Sequence, residues 1–197
     1  MEEFQVSQAS HFYMIGLDHY RTPVEVREQF TLDQEKTSHL LYEYKQSGGD
    51  AMLVLSTCNR TELYAFAGCP RDLVSLFCKY IGQAYEKFQA YQNILQNRDA
   101  IEHLFRVGSG MESRILGDFE IIGQIKKAYQ FTKDHQTHNA FLDRLINSAV
   151  QCSKQVKNQT TLSTGAASVA FAAVMRLKHY LTQQEQPHVV LLGMGKI

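Results

Sequence analysis

The segment Leu55-Ser56-Thr57-Cys58-Asn59-Arg60-Thr61-Glu62 sets a cysteine among polar side chains, with a guanidinium two residues further on. A thiol attacks carbonyl carbon as its thiolate, and a nearby cation together with backbone N–H groups favours that form. Arg60 can also grip a substrate carboxylate with two parallel hydrogen bonds, a geometry that lysine does not match. The residues alone leave a second reading equally open. Free cysteines are among the most buried side chains, so Cys58 could be a small core hydrophobe, with Arg60 and Glu62 a surface ion pair. Two other features carry less by themselves. His103, in Ala100-Ile101-Glu102-His103-Leu104-Phe105-Arg106, is offset from the apolar face of a helical pattern, where a lone histidine is ordinarily a surface residue. Gly193-Met194-Gly195 follows an apolar run and starts a G-x-G-x-x-G turn without its last glycine or the later acidic residue.

The elements that must position the cysteine follow from periodicity and punctuation. Phe12 to Leu17 reads as a buried strand, ending in Asp18-His19-Tyr20-Arg21-Thr22-Pro23. Asp33 stands where an N-cap should, ahead of a helix through Leu40, Leu41 and Tyr44 that stops at Gly48-Gly49. Met52 to Ser56 and Leu63 to Ala67 are two further strands, joined by the polar elbow Thr57 to Thr61. Pro70 opens a helix spaced by Leu73, Leu76, Phe77 and Tyr80, and Ala90 to Leu95 supplies a fourth strand. The order βαββαβ predicts an α+β, ferredoxin-like layer with two helices on one face.

From Asp99 the pattern turns helical. Ile101, Leu104, Phe105 and Gly108 share one face, and Ile115, Phe119, Ile122, Ile125 and Tyr129 another, with Asp118 read as an N-cap and Glu120 in the first turn. Gln124 lies four residues from Glu120, on the same face of a regular helix. Further helices are expected over about 139–158 and 164–181, the latter carrying the small-residue stretch Gly165-Ala166-Ala167-Ser168. A helical bundle thus follows the sandwich, and a single stub strand of a Rossmann domain follows Pro187. The expected domains are 1–97, an α+β subdomain with the cysteine; 98–186, a helical bundle of the same catalytic domain; and 187–197, the truncated start of a dinucleotide-binding domain.

At 197 residues and 44% apolar content the chain can bury a substantial core. Lys plus Arg and Asp plus Glu are 20 each, so there is no global positive field of the kind nucleic-acid binders carry. Arg144, Lys154, Lys157, Arg176 and Lys178 are candidates for a local basic patch, with a solvated face as the plainer reading. The irregular spacing of Cys58, Cys69, Cys78 and Cys152 argues against a zinc site, and reduced thiols suit a cytoplasmic location. No apolar run is long enough for a signal peptide or a membrane span.

Four motifs, in order, carry a family resemblance: Gly16-Leu17-Asp18-His19-Tyr20-Arg21-Thr22-Pro23-Val24, Ser56-Thr57-Cys58-Asn59-Arg60-Thr61-Glu62-Leu63-Tyr64, the run from Gly108 to Asp118, and Gly123-Gln124-Ile125-Lys126-Lys127-Ala128. Together they resemble the glutamyl-tRNA reductases over nearly the whole chain. The resemblance implies an NADP-dependent oxidoreductase of tetrapyrrole (porphyrin, haem) biosynthesis. In that family a cysteine takes the glutamyl group from glutamyl-tRNA(Glu) as a thioester, and hydride from NADPH reduces it to glutamate-1-semialdehyde.

Carried over residue by residue, Cys58 is the nucleophile, Thr57, Asn59 and Arg60 line the glutamate pocket, and His103 becomes a candidate for proton transfer to the leaving tRNA hydroxyl. Ser113, Asp118, Phe119, Glu120 and Gln124 fall on a substrate-contacting loop and helix, although the family usually shows Glu-Pro-Gln where this chain has Asp118-Phe119-Glu120. Gly193, Met194, Gly195, Lys196 and Ile197 match the opening of the NADPH site, an incomplete motif to which no cofactor is expected to bind. The family also implies a homodimer through a C-terminal helical domain and a downstream aminomutase as partner. A fragment of such a protein is expected to bind substrate, form the thioester and slowly hydrolyse it. The alternatives are a non-catalytic module that recognises glutamyl-tRNA or a partner protein, and an unrelated cysteine hydrolase, which would need a histidine oriented against Cys58.

Overall fold

The computed structural model describes residues 10–160, 162, 169–182 and 188–190. Its first half is built on four strands: β1 (His11–Asp18), β2 (Met52–Ser56), β3 (Arg60–Ala67) and β4 (Asn93–Gln96). They form one sheet in the order β2-β3-β1-β4, and every pairing is antiparallel. Short helix α1 (Val24–Arg27), a 3-10 turn at Glu28–Phe30 and helix α2 (Gln34–Gln46) connect β1 to β2, while α3 (Pro70–Ile81) and α4 (Tyr85–Gln89) connect β3 to β4.

Local signals account for these limits. The Asp33 side chain accepts the N–H of Lys36 to cap α2, Pro70 fills the first turn of α3, and Gly82 ends α3 at φ 74°. Strand β4 begins three residues later than the apolar run suggests, because residues 85–89 form a helical turn before it.

Both faces of the sheet are covered, which explains why its strands read as continuous apolar runs. Tyr13, Ile15 and Leu17 of β1 meet Leu40, Leu41 and Tyr44 of α2 and Leu73, Leu76 and Phe77 of α3. The alternate residues Phe12 and Met14 join Leu53, Leu55 and Tyr64 on the opposite face. There they pack against α5 (Arg98–Gly108), α6 (Glu120–Asp134) and α7 (Ala140–Gln159) through Leu104, Ile125 and Ile146. The helical second half is therefore the second cover of the sheet. Helix α8 (Val169–Leu181) follows, with Val174, Met175 and Tyr180 exposed. The expected start of that helix at Thr164 and the small-residue stretch Gly165 to Ser168 lie outside the described residues, as does the strand-and-turn expectation beyond Val190. No described helix is long and apolar enough to cross a membrane.

Two boundary corrections bear on the site. Strand β3 begins at Arg60 rather than Leu63, so the elbow shrinks to Thr57-Cys58-Asn59 and Arg60, Glu62 and Tyr64 point to the same face. Helix α6 begins at Glu120 with Phe119 as its N-cap, and Ile115 and Phe119 belong to the preceding loop. Asp118 still serves the helix start, since its carboxylate accepts the Glu120 N–H at 3.0 Å.

Candidate active site at the elbow

Cys58 is exposed at the tip of the β2–β3 connection. The backbone N–H of Thr57 donates to the Arg60 carbonyl at 2.8 Å, and the Thr57 hydroxyl oxygen accepts the N–H groups of Asn59 and Arg60, each at 3.2 Å. The turn is thereby closed by the side chain at its start, the usual use of threonine where a chain reverses. Cys58 and Asn59 open into a cleft of about 660 Å³ shared with Arg27, Arg114, Ile115 and Asp118. The reading of Cys58 as a buried hydrophobe is excluded by its exposure.

The ion pair of the plainer reading exists, but it is buried rather than on the surface. Arg60 Nη1 donates to Glu62 Oε1 at 2.9 Å with both side chains 2% exposed. Its Nη2 donates to the carbonyl of Glu112. Glu62 is the hub of a closed cluster: Tyr64 Oη donates to its Oε2 at 2.8 Å, and His103 Nε2 lies 2.9 Å from its Oε1. Burial alone would push the Glu62 carboxyl up, but Arg60, then His103 and Tyr64, hold it down to about 2. An ionised carboxylate only accepts, so Nε2 of His103 carries the proton in this contact. Burial and the neighbouring Glu62 push the Tyr64 hydroxyl well above its usual range. Gly16, paired with Glu62 across β1 and β3, makes the space: a Cβ there would stand 2.8 Å from Glu62 Cα and collide with the Thr61 carbonyl.

The other sequence-predicted residues separate into groups. His103 is not the surface residue that its helical offset suggests; it is buried on α5 and borders a different cleft, with Asp99, Glu102 and Arg106. No hydrogen bond joins it to Cys58 among the described residues. Ser113 sits in the 109–119 loop, which Gly110 and Gly117 close with positive φ of 72° and 82° and a hydrogen bond between them. Glu112 of the same loop is also held by Arg106 Nε at 2.6 Å. Phe119 lies under the Lys157 ammonium, 5.7 Å from its ring centre, and Glu120 is exposed. Gln124 faces a separate cavity of about 260 Å³ with Ser56, Lys127 and Phe131, along the outer edge of β2. Arg144, Lys154, Lys157, Arg176 and Lys178 are exposed on α7 and α8. Gly193 to Ile197 lie outside the described residues.

Sequence reasoning did not count Arg27, Glu62, Tyr64 and Arg114 among the site residues. For Glu62 and Tyr64 the signal was available as the i, i+2 spacing from Arg60, once the strand is known to start there. Arg27 is 31 residues from Cys58, whose carbonyl it binds, and no local pattern announces that contact.

Residues 15–160 match the family model described as "Glutamyl-tRNAGlu reductase, N-terminal domain". The chain is 43% identical over 197 residues to the glutamyl-tRNA reductase of Christiangramia forsetii, covering 100% of this chain and 47% of that protein. It is 34% identical over 189 residues to the one of Brevibacillus brevis, covering 93% of this chain and 42% of that protein. The chain thus spans about half the length of the curated relatives it matches. The solved structure of glutamyl-tRNA reductase from Methanopyrus kandleri superposes with a TM-score of 0.66 at 27% identity, over 85% of this chain and 39% of that one.

Proposed function

Because the chain belongs to the glutamyl-tRNA reductase family, matching its N-terminal domain, we propose that Cys58 takes the glutamyl group of glutamyl-tRNA(Glu) as a thioester, in the NADPH-dependent formation of glutamate-1-semialdehyde that opens tetrapyrrole synthesis. The observation that carries this reading is the exposed thiol on a hydrogen-bonded elbow that opens into a cleft. The sulfur attacks the ester carbonyl, the S–C bond forms, the C–O bond to the ribose breaks, and the ribose oxygen leaves with a proton. An aminoacyl ester is already activated, and the thioester keeps that activation.

The α-carboxyl of the substrate is the ester itself, so the free carboxylate is the one on the glutamate side chain. Arg60 is our candidate to bind it, with Glu62 keeping the guanidinium oriented while the carboxylate replaces the Glu112 carbonyl on Nη2. Asn59 and Asp118 border the entering acyl group, and Thr57 fixes the turn. Ser113, Phe119 and Glu120 are proposed to meet the acceptor end of the tRNA around this opening, and Gln124 to meet the substrate from its own separate cavity. His103 is retained as a proton carrier, through the ring nitrogen that Glu62 leaves free.

When bound, NADPH supplies hydride to the thioester. The residues proposed for it, Gly193 to Ile197, lie outside the described residues. The strand order and antiparallel pairing support a ferredoxin-like reading of the layer, with residues 1–97 and 98–186 as parts of one catalytic domain and a Rossmann domain beginning after residue 186. A dimer through a further C-terminal domain, an aminomutase partner and a cytoplasmic location belong to the same reading.

The test is ester discharge. Mixed with glutamyl-tRNA without NADPH, the chain should release deacylated tRNA in a burst proportional to its own concentration, and Cys58→Ser should not. Equal discharge by both, or none under conditions where a full-length family member acts, would leave a binding module.

A further inference from the structure

Arg27 ends α1 only 5% exposed, yet it forms no ion pair among the described residues. Its described hydrogen bonds both go to main-chain carbonyls: Nε donates to Cys58 O and Nη1 to Thr22 O, each at 2.9 Å. A buried cation without a carboxylate is costly. The fold nonetheless keeps this one at the wall of the cleft that holds the thiol, where Arg114 adds a second positive charge and Glu28 and Asp118 are the acids. The field around the elbow is felt by His19, next to the end of β1. Both of its ring nitrogens are buried without a hydrogen-bond partner among the described residues, and burial, then Arg60, holds its protonation down against Asp18, with Arg27 and Arg114 adding smaller effects in the same direction as Arg60.

The grip on the elbow comes from two sides. Thr57 Oγ1 accepts the N–H groups of Asn59 and Arg60, and Arg27 donates to the carbonyl of Cys58 itself. A planar guanidinium fork can serve the two carbonyls at once with fixed directions, whereas an ammonium is a point charge on a flexible stem.

We propose that Arg27 is the positioning residue of the nucleophile: by tying the Cys58 carbonyl to the Thr22 carbonyl, it fixes the elbow with the thiol in the cleft and sets beside it a positive charge that no described carboxylate pairs directly. The inference rests on the reading of Cys58 as nucleophile but requires no particular substrate. Two other thiols serve as internal references, since Cys69 is exposed and Cys78 is buried.

The experiment is timed alkylation of the whole chain by iodoacetamide at one pH, with peptide mapping of each cysteine, in the parent and in Arg27→Met and Arg27→Lys. Arg27→Met should slow alkylation of Cys58 about tenfold and Arg27→Lys about threefold, with Cys69 unchanged and Cys78 protected. An unchanged Cys58 rate in both variants, with Cys78 still protected, overturns the proposal. So does a uniform change at all three thiols, which marks a residue needed only for folding. If Arg27→Met opens Cys78 to the reagent, Arg27→Lys decides alone: a Cys58-selective loss supports the proposal and any other result overturns it. Should the parent fail to discharge glutamyl-tRNA while the alkylation effect persists, the reductase reading falls and the positioning role of Arg27 stands.

Discussion

Cys58 and Glu62 lie four residues apart on one hairpin and occupy opposite physical regimes. The thiol is exposed, on a turn held through main-chain groups, and no hydrogen-bond partner occupies it among the described residues. The carboxylate is fully enclosed, with Arg60, Tyr64 and His103 all directed at it. Reactive chemistry needs a group with unspent valence, so it sits where water and substrate reach. Charge that must stay oriented sits one strand turn deeper, where each ion has a partner. Removing groups from the two regions should therefore fail in different ways.

The largest stability loss is expected at the enclosed end. Glu62→Ala leaves Arg60 buried without its carboxylate and should cost about 3–5 kcal/mol, read from the shift in urea denaturation. An unchanged midpoint would mean that the cluster is less enclosed than its geometry indicates. The pH dependence has a definite sign. The folded-state carboxyl is held at about 2, below its ordinary value of about 4.3. Its stabilisation is complete above the ordinary value and is lost as pH falls through the folded one. The stability gap between the parent and Glu62→Gln should thus be flat from neutral pH to about 5 and narrow between about 4 and 2. A gap that widens on acidification would contradict the assignment.

Tyr64→Phe removes one hydrogen bond to a charged group and should cost about 1.5–3 kcal/mol. At the elbow the proportions reverse. Thr57→Val should cost under about 1 kcal/mol of stability, because only a partly exposed turn loses its acceptor, yet it should cut alkylation of Cys58 and discharge of glutamyl-tRNA severalfold. Equal losses of stability and reactivity at both ends would erase the distinction.

Much of this was legible from residue order. The apolar runs of the strands, Asp33 and Pro70 mark elements that the structure retains, and the helix expected over about 139–158 is found with the Asn139 side chain accepting the Leu142 N–H at 2.9 Å. These are local signals, written within a few residues of where they act. The exposure of Cys58 was not legible in this way: the residues alone left a buried core thiol equally open, and its place at the tip of the β2–β3 connection decides between the two. What escaped depends on distance along the chain. His103 meets Glu62 across 41 residues, which turns an apparent surface histidine into a buried partner. Helix α6 sets Gln124 in a cavity beside β2 and apart from the Cys58 cleft, a separation that helical spacing cannot reveal. The start of β3 was misplaced because Arg60, Thr61 and Glu62 are polar; partners on the 109–119 loop and α5 offset the cost of burying Arg60 and Glu62, and the Thr61 hydroxyl meets that of Ser56 on β2.

The central claim, that the thiol of Cys58 receives the glutamyl group, is tested most directly by the intact mass of the chain after brief exposure to glutamyl-tRNA without NADPH, followed by peptide mapping. A single glutamyl adduct on the peptide containing Cys58, absent from Cys58→Ser and cleaved by hydroxylamine, is the predicted result. An adduct elsewhere, or none while the substrate is bound, would contradict it.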